Sequence, residues 1–182
     1  MLFFVISSLV IIFSLSTYAA EEEQYDFYAP GIPSYQPAYW NNDNYVLENN
    51  NCYNYSCNKR TDTYAIIGKG GGYNLQYPYT VEKLTMAALR DGLEKGTKTG
   101  ILPIGKARVA LYLASYDYHW YRQDSDGYWS HKIARQLAQD RDYSGKFISD
   151  IEKADRQNYK TLVGYFYVDS DTVEGKGHEN IK

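Results

Sequence analysis

A strand-forming segment that turns back on itself places the tightest constraint on how this chain folds. Residues 108–115 form an apolar run, and the aromatic stretches 116–123 and 128–133 follow it. Between those stretches, Asp124-Ser125-Asp126-Gly127 has Asp and Gly at the positions that favour a type I turn ending in a left-handed glycine. The pattern predicts a β-hairpin with a three-residue loop, preceded by another strand.

The length of that loop decides which faces of the hairpin its two histidines occupy. With three residues in the loop, Tyr121 lies opposite His131, and His119 shares their face because alternate residues of a strand point the same way. With a two-residue Asp-Gly loop, the histidines would point to opposite faces. The three-residue loop therefore predicts that the two imidazoles lie on one face.

Helix signals are concentrated in the first half of the chain. The best spans Thr80 to Lys95, where Thr80 is suited to cap the helix and Gly96 to end it. One of the asparagines 49–51 can start a short helix, residues 150–157 predict another, and residues 160–168 predict a last core strand. Helices followed by strands indicate an α+β fold, in which a helix-rich first half packs on an antiparallel sheet.

The chain divides into four segments. Residues 1–20 are uncharged, largely apolar and end in small residues, which predicts a secretory signal peptide, with an uncleaved anchor as the alternative. Residues 21–50, rich in Tyr, Asn and Pro, predict an irregular arm. Residues 51–168 predict a single domain and residues 169–182 a polar, frayed tail. The protein is therefore predicted to be secreted, either periplasmic or extracellular, and free of the membrane once the signal is cleaved.

Composition limits the classes of partner. The net charge of −3 does not provide the basic face of a duplex-binding protein, so no nucleic-acid partner is predicted. The chain contains 21 tyrosines among its 182 residues, which is an unusually high content of this residue. A phenol has an apolar ring and a polar tip, which suits half-buried surfaces that contact polar ligands.

The residue best suited to chemistry is Cys52. A thiol at the start of a helix lies at the positive end of the helix dipole, which favours the thiolate. His119 is a candidate base and His131 a candidate for holding its tautomer. A disulfide between Cys52 and Cys57 and an inert thiol are the alternatives. Two histidines and Asp117 lack a compact metal-ligand pattern, so neither a metal nor another cofactor is predicted.

The order of these residues resembles the Cys-His-His arrangement of NlpC/P60 peptidases, papain-like enzymes that cleave bacterial cell-wall peptides. The matching stretches are Asn51-Cys52-Tyr53-Asn54-Tyr55 and His119-Trp120-Tyr121-Arg122, followed by Gly127 and His131. The phrases NCYNY and HWYRQDSDGYWSHK also resemble those of uncharacterised secreted bacterial proteins.

That resemblance implies a papain-like, NlpC-like fold and roles for individual residues. Cys52 would be the nucleophile, His119 the base and His131 the orienting residue, acting on a peptide or cell-wall substrate. Five aromatic residues would line the substrate cleft: Tyr116, Tyr118, Trp120, Tyr121 and Trp129.

Two functions are thus predicted. The first is a secreted cysteine hydrolase that cleaves an amide bond. The second is a secreted binding module without catalysis, in which the Tyr, Trp and Asn residues of segments 25–55 and 112–129 contact glycans or protein partners.

Overall fold

The computed structural model describes residues 32–169 and 173–174. Their four helices all precede residue 91: α1 (Pro37–Asn41), α2 (Asn44–Asn49), α3 (Cys52–Ser56) and α4 (Val81–Arg90). Their eight strands are β1 (Lys59–Arg60), β2 (Glu94–Lys95), β3 (Lys106–Leu113), β4 (Tyr118–Gln123), β5 (Trp129–Lys132), β6 (Ala138–Gln139), β7 (Thr161–Asp169) and β8 (Val173–Glu174). The predicted α+β class, with helices before the main strands, is confirmed.

Six of the strands form one antiparallel sheet in the order β2-β7-β3-β4-β5-β6. Its central strand, β3, lies between β7 and β4, and a register shift interrupts its pairing with β7 between Leu111 and Tyr112. The remaining strands, β1 and β8, pair in parallel apart from this sheet. Helix α3 contacts β4 and β5, which places the start of α3 beside the hairpin.

The β4–β5 hairpin has the predicted register. Arg122 pairs with Ser130 and Gln123 with Trp129, the alignment that a three-residue loop produces. The amide of Asp124 donates to the Tyr128 carbonyl oxygen at 2.8 Å, which closes the loop. Gly127 has φ +84°, the left-handed conformation for which glycine is suited.

Helix α4 begins as predicted and ends earlier than predicted. Thr80 Oγ1 accepts a hydrogen bond from the Lys83 amide at 3.2 Å, which caps the first turn. The helix ends at Arg90, because the chain reaches a left-handed glycine, Gly92 with φ +91°, rather than continuing to Gly96. Residues 94–95 then form β2 instead of a last helical turn.

Three other predictions differ from the structure. The segment predicted as an irregular arm contains α1 and α2, and Asp43 caps α2 by accepting from the Tyr45 amide at 2.8 Å. Residues 150–157, predicted as a short helix, form turns. The predicted frayed tail contributes β8. The predicted signal peptide, residues 1–20, lies outside the described residues.

The sheet is buried on both faces, so the core is divided. On β3, Val109 and Leu111 pack into a first cluster with α4, while Ala110 and Tyr112 pack into a second cluster on the opposite face. A third, small cluster joins α1 to α3 and β6. Each cluster holds one of the chain's three tryptophans, all nearly inaccessible to solvent: Trp120 in the first, Trp129 in the second and Trp40 in the third.

A buried arginine on β4 connects the hairpin to the helical half. The Arg122 guanidinium, whose side chain is 1% exposed, contacts Asp124 Oδ1 at 2.7 Å and lies over the Tyr55 ring, 4.4 Å from its centroid. It also donates to the Tyr55 and Ser34 carbonyl oxygens, at 3.2 Å each, and to Asn58 Oδ1 at 3.4 Å. One cation therefore joins α3, the segment before α1 and the hairpin loop.

Lys132, at the end of β5, supports the helical half in a similar way. Its side chain is fully buried, and its ammonium group donates to the carbonyl oxygens of Leu47, Asn50 and Ala134 at 2.7 Å each. The first two of these oxygens belong to the last turn of α2 and to its C-cap, where helical carbonyls lack partners. Burial lowers the pKa of Lys132 to about 8.

Candidate functional site

Cys52 and His119 line the same groove. This cavity, of about 230 Å³, lies between the start of α3, the start of β4 and the turn after β5. Besides these two residues it is lined by Asn51, Tyr64, Tyr79, Asp117, Tyr118, Ile133, Ala134 and Tyr159. The predicted neighbourhood of Cys52 and His119 is therefore present in the folded protein.

The two predicted histidines form a hydrogen-bonded pair behind the groove. His119 Nε2 lies 2.8 Å from His131 Nδ1, and His131 Nε2 lies 2.9 Å from the Arg141 carbonyl oxygen. Because a carbonyl oxygen only accepts, His131 Nε2 carries a proton, which leaves Nδ1 of the neutral ring to accept from His119 Nε2–H. The predicted orienting contact thus exists.

Burial keeps both imidazoles neutral. The exposed fraction is 2% for His119 and 0% for His131. Burial lowers the pKa of His131 to about 4, and burial together with the neighbouring His131 lowers the pKa of His119 well below its ordinary value. The Tyr121 ring stacks on His131 at a centroid distance of 4.8 Å, which completes the enclosure.

The environment of Cys52 opposes the predicted thiolate. Asn51 caps α3, accepting from the Tyr53 and Asn54 amides, so the predicted helix start is confirmed. Burial nevertheless raises the pKa of the Cys52 thiol to about 12, outweighing a hydrogen bond from the Trp120 backbone that acts in the opposite direction. Both cysteines are free thiols, so the Cys52–Cys57 disulfide alternative is not realised.

We expect Cys52 to react slowly with iodoacetamide in the folded protein. A free thiol with a pKa near 8.5 is half ionised at pH 8.5, whereas a thiol with the raised pKa is almost entirely protonated, so labelling should be at least ~100-fold slower than in the unfolded chain. Peptide mapping after timed labelling, with and without urea, measures this ratio. Fast labelling of the folded protein below pH 7 would contradict it.

Of the five residues predicted to line a substrate cleft, Tyr118 lines the groove and Tyr116 lines a larger neighbouring cleft. Tyr118 packs edge-on against Tyr79 at a centroid distance of 5.4 Å. The other three belong to the core instead: Trp120, Tyr121 and Trp129. Trp120 does not line the groove because it is fully buried in the first core cluster, where it stacks on Tyr53 at a centroid distance of 5.1 Å.

A larger cleft of about 940 Å³ adjoins the groove and shares three lining residues with it, Asp117, Ile133 and Tyr159. Its other aromatic residues are Tyr116 and Tyr143, from the β3–β4 turn and the segment after β6. Three side-chain amides also line it: Gln136, Gln157 and Asn158. Sequence reasoning had identified Tyr116 as aromatic lining, but no local pattern marks residues 136–160 as part of the same site.

A hydrogen bond joins two of the segments that line the cleft. Tyr159 Oη donates to Asp117 Oδ2 at 2.9 Å, which ties the segment before β7 to the β3–β4 turn. The centroid of the Tyr159 ring also lies 5.1 Å from that of the His119 ring, and both residues line the groove. The cleft wall is therefore attached to the core of the hairpin.

Four tyrosines form a row of ring contacts, and two of them, Tyr79 and Tyr118, line the groove. Tyr116 and Tyr77 have nearly parallel rings, with centroids 6.3 Å apart and an angle of 17° between their planes. Tyr77 contacts Tyr79 edge-on at 5.7 Å, and Tyr79 contacts Tyr118. The row extends from a highly exposed ring to a half-buried one.

Two other properties concern only the described part of the chain. No cluster of three or more His, Cys, Asp or Glu side chains in residues 32–169 is arranged to hold a metal ion. No helix in that part combines the length and the apolar character needed to cross a bilayer.

Comparison with known proteins gives one informative relative. The chain is 39% identical over 138 residues to insoluble matrix shell protein 1 of Ruditapes philippinarum, an alignment that covers 74% of this chain and 88% of the relative. No family model matches the chain. No solved structure matches it. The resemblance to NlpC/P60 peptidases therefore stays a prediction.

Proposed function

We propose, because the chain belongs to the family of insoluble matrix shell protein 1, that it is a secreted structural component of an extracellular matrix. The family relationship covers most of both chains and is the observation on which the proposal depends. It agrees with the second function predicted from the sequence, a secreted module that binds partners without catalysis.

The same relationship contradicts the first predicted function. A relative that shares 39% of its aligned residues and 88% of its length with this chain is a shell matrix protein, not a hydrolase. The predictions of a cysteine peptidase and of a peptidoglycan substrate are therefore wrong. Secretion is supported, whereas a periplasmic location is not.

We further propose that the 940 Å³ cleft binds a polysaccharide of the matrix. Its volume lies within the range of about 300–1,000 Å³ that is typical of small-molecule sites, so several sugar rings fit. Tyr116, which is 79% exposed, and Tyr143 offer phenol rings against which sugar rings can pack.

The polar lining suits an uncharged polymer with many hydroxyl groups. Among the described residues, no side-chain hydrogen bond is made by the amides of Gln136, Gln157 or Asn158, so each can both donate and accept. Only Asp117 and Lys160 carry charge at the cleft, one of each sign. A strongly charged ligand would find no excess of opposite charge there.

A glycan array tests this function. The protein should bind a subset of neutral polysaccharides, and Tyr143→Ala and Gln136→Ala should each weaken binding about 10-fold, or about 1.4 kcal/mol. Tyr45→Ala is the matched control, because Tyr45 is 57% exposed and lies outside the cleft. The absence of glycan binding, or equal binding by all three variants, would contradict the polysaccharide proposal.

A further inference from the structure

Tyr77 and Tyr116 differ from the other tyrosines of the described chain because they combine high exposure with a stacked contact between their rings. They come from separate loops, 57% and 79% of their surfaces are exposed, and their rings stack at 6.3 Å between centroids. The other tyrosine pairs of the row pack edge-on, and Tyr118 at the end of the row is half-buried.

Neither of these two phenol hydroxyls makes a hydrogen bond to the described residues. In contrast, Tyr53, Tyr159 and Tyr165 donate to carboxylates at 2.8–2.9 Å, which holds each ring in place. The rings of Tyr77 and Tyr116 are therefore open to a dissolved oxidant, and their hydroxyl groups are not engaged by a carboxylate.

We propose that Tyr77 and Tyr116 form a site of oxidative modification, at which the two phenols couple into a dityrosine cross-link within one molecule. The oxidant is a peroxide, hydrogen peroxide, which a peroxidase uses to oxidise the phenols. This inference goes beyond the matrix function, because it assigns a covalent modification that does not depend on the cleft or its ligand.

The coupling balances as follows. Each phenol gives up one electron and its hydroxyl proton, so two phenoxyl radicals form while hydrogen peroxide takes up two electrons and two protons to become two molecules of water. A carbon–carbon bond then forms between ring carbons ortho to the oxygens. The hydrogen on each of these carbons moves to the neighbouring oxygen, which restores both phenols. The protein loses two hydrogen atoms in total.

The cross-link would join the loop before α4 to the β3–β4 turn. Tyr77 lies four residues before the first residue of α4, and Tyr116 lies three residues after β3. A covalent bond between distant parts of the chain restricts the unfolded state, as a disulfide does. The modified protein is therefore expected to resist unfolding better than the unmodified one.

Treatment of the purified protein with a peroxidase and hydrogen peroxide tests the proposal. The monomer should gain dityrosine fluorescence, lose the mass of two hydrogen atoms and yield a proteolytic peptide that joins Tyr77 to Tyr116. Tyr77→Phe and Tyr116→Phe should each abolish that peptide while keeping the stacked ring, so the fold is not disturbed. Tyr45→Phe is the matched control, because Tyr45 is also 57% exposed and has no ring contact with the described residues.

Three results would overturn the proposal: an undiminished yield of monomeric dityrosine in both Phe variants, coupling only between separate molecules, or no coupling under conditions in which free tyrosine couples. Because Tyr77 does not line the cleft, the Tyr77→Phe variant should still bind glycans. Failure of the cross-link and failure of the polysaccharide proposal are therefore distinguishable.

Discussion

Replacing Arg122 with methionine is expected to lower the free energy of unfolding by about 3–5 kcal/mol, the usual cost of removing one partner from a buried ion pair. The guanidinium is enclosed between Asp124 and the Tyr55 ring and supports the backbone of Ser34. Its removal leaves the buried Asp124 carboxylate without its cation and takes one donor from the Tyr55 and Ser34 carbonyl oxygens. Urea titration followed by circular dichroism measures the change.

Arg135→Met is the control for this prediction. Arg135 is exposed, and its guanidinium lies 5.8 Å from the Tyr64 ring centroid, so its loss should change stability by less than ~0.5 kcal/mol. The double variant Arg122→Met/Asp124→Asn should recover part of the loss, since the uncompensated charge is gone. Similar stability of Arg122→Met and Arg135→Met would show that the buried network does not hold the hairpin to α3.

Acidification from pH 7 to pH 4 is expected to destabilise the protein by about 3 kcal/mol through His131 alone, at about 1.4 kcal/mol per pH unit. In the unfolded chain the imidazole binds a proton below about pH 6.5. In the folded protein burial lowers the pKa to about 4. Between these values the unfolded state holds more protons, so stability falls as pH falls. His119, also lowered, acts in the same direction.

Carboxyl groups also titrate at acid pH, and their contributions to stability differ from that of the histidines in pH range or in direction. Although burial acts to raise the pKa of Asp142, hydrogen bonds from the amides of Asp155, Lys146 and Ser144 prevail and hold it at about 2, so its contribution is lost only below pH 4. Burial raises the pKa of Asp91 and of Asp124, which opposes the histidine effect. Comparison of the parent protein with the His131→Gln variant isolates the contribution of His131 to the pH dependence of stability.

Urea midpoints at pH 7, 5.5 and 4.5 measure the histidine effect directly. His131→Gln should have a shallower loss of stability across this range than the parent protein. Proton uptake on unfolding at pH 5, determined by calorimetry in buffers of different ionisation enthalpy, should fall in that variant. An identical pH dependence in both proteins would contradict the neutral, buried histidine pair.

The sequence predicted the hairpin well because its determinants are local. Asp124 and Gly127 set the loop, the loop sets the register, and alternation then places His119 and His131 on one face. The asparagine cap of α3 and the threonine cap of α4 are equally local signals. In each case a side chain acts on backbone groups within four residues of itself.

Properties that depend on distant segments were not predictable in this way. The start of a helix favours a thiolate, but burial raises the Cys52 pKa, and that burial depends on the tertiary packing of α3, which includes contacts with β4 and β5. Alternation puts Trp120 on one face of β4, yet only the position of α4 and β3 shows that this face is the first core cluster. The cleft combines a turn near residue 116 with segments 133–160, so no single pattern reveals it.

The distribution of the tryptophans gives the protein a built-in optical reporter. Trp40, Trp120 and Trp129 are shielded in three separate clusters, and an indole emits at shorter wavelength when shielded from water than when exposed. Each variant that keeps only one of the three tryptophans would report on one cluster without an added dye. Together, such variants would show whether the first, second and third clusters unfold at the same time or in sequence.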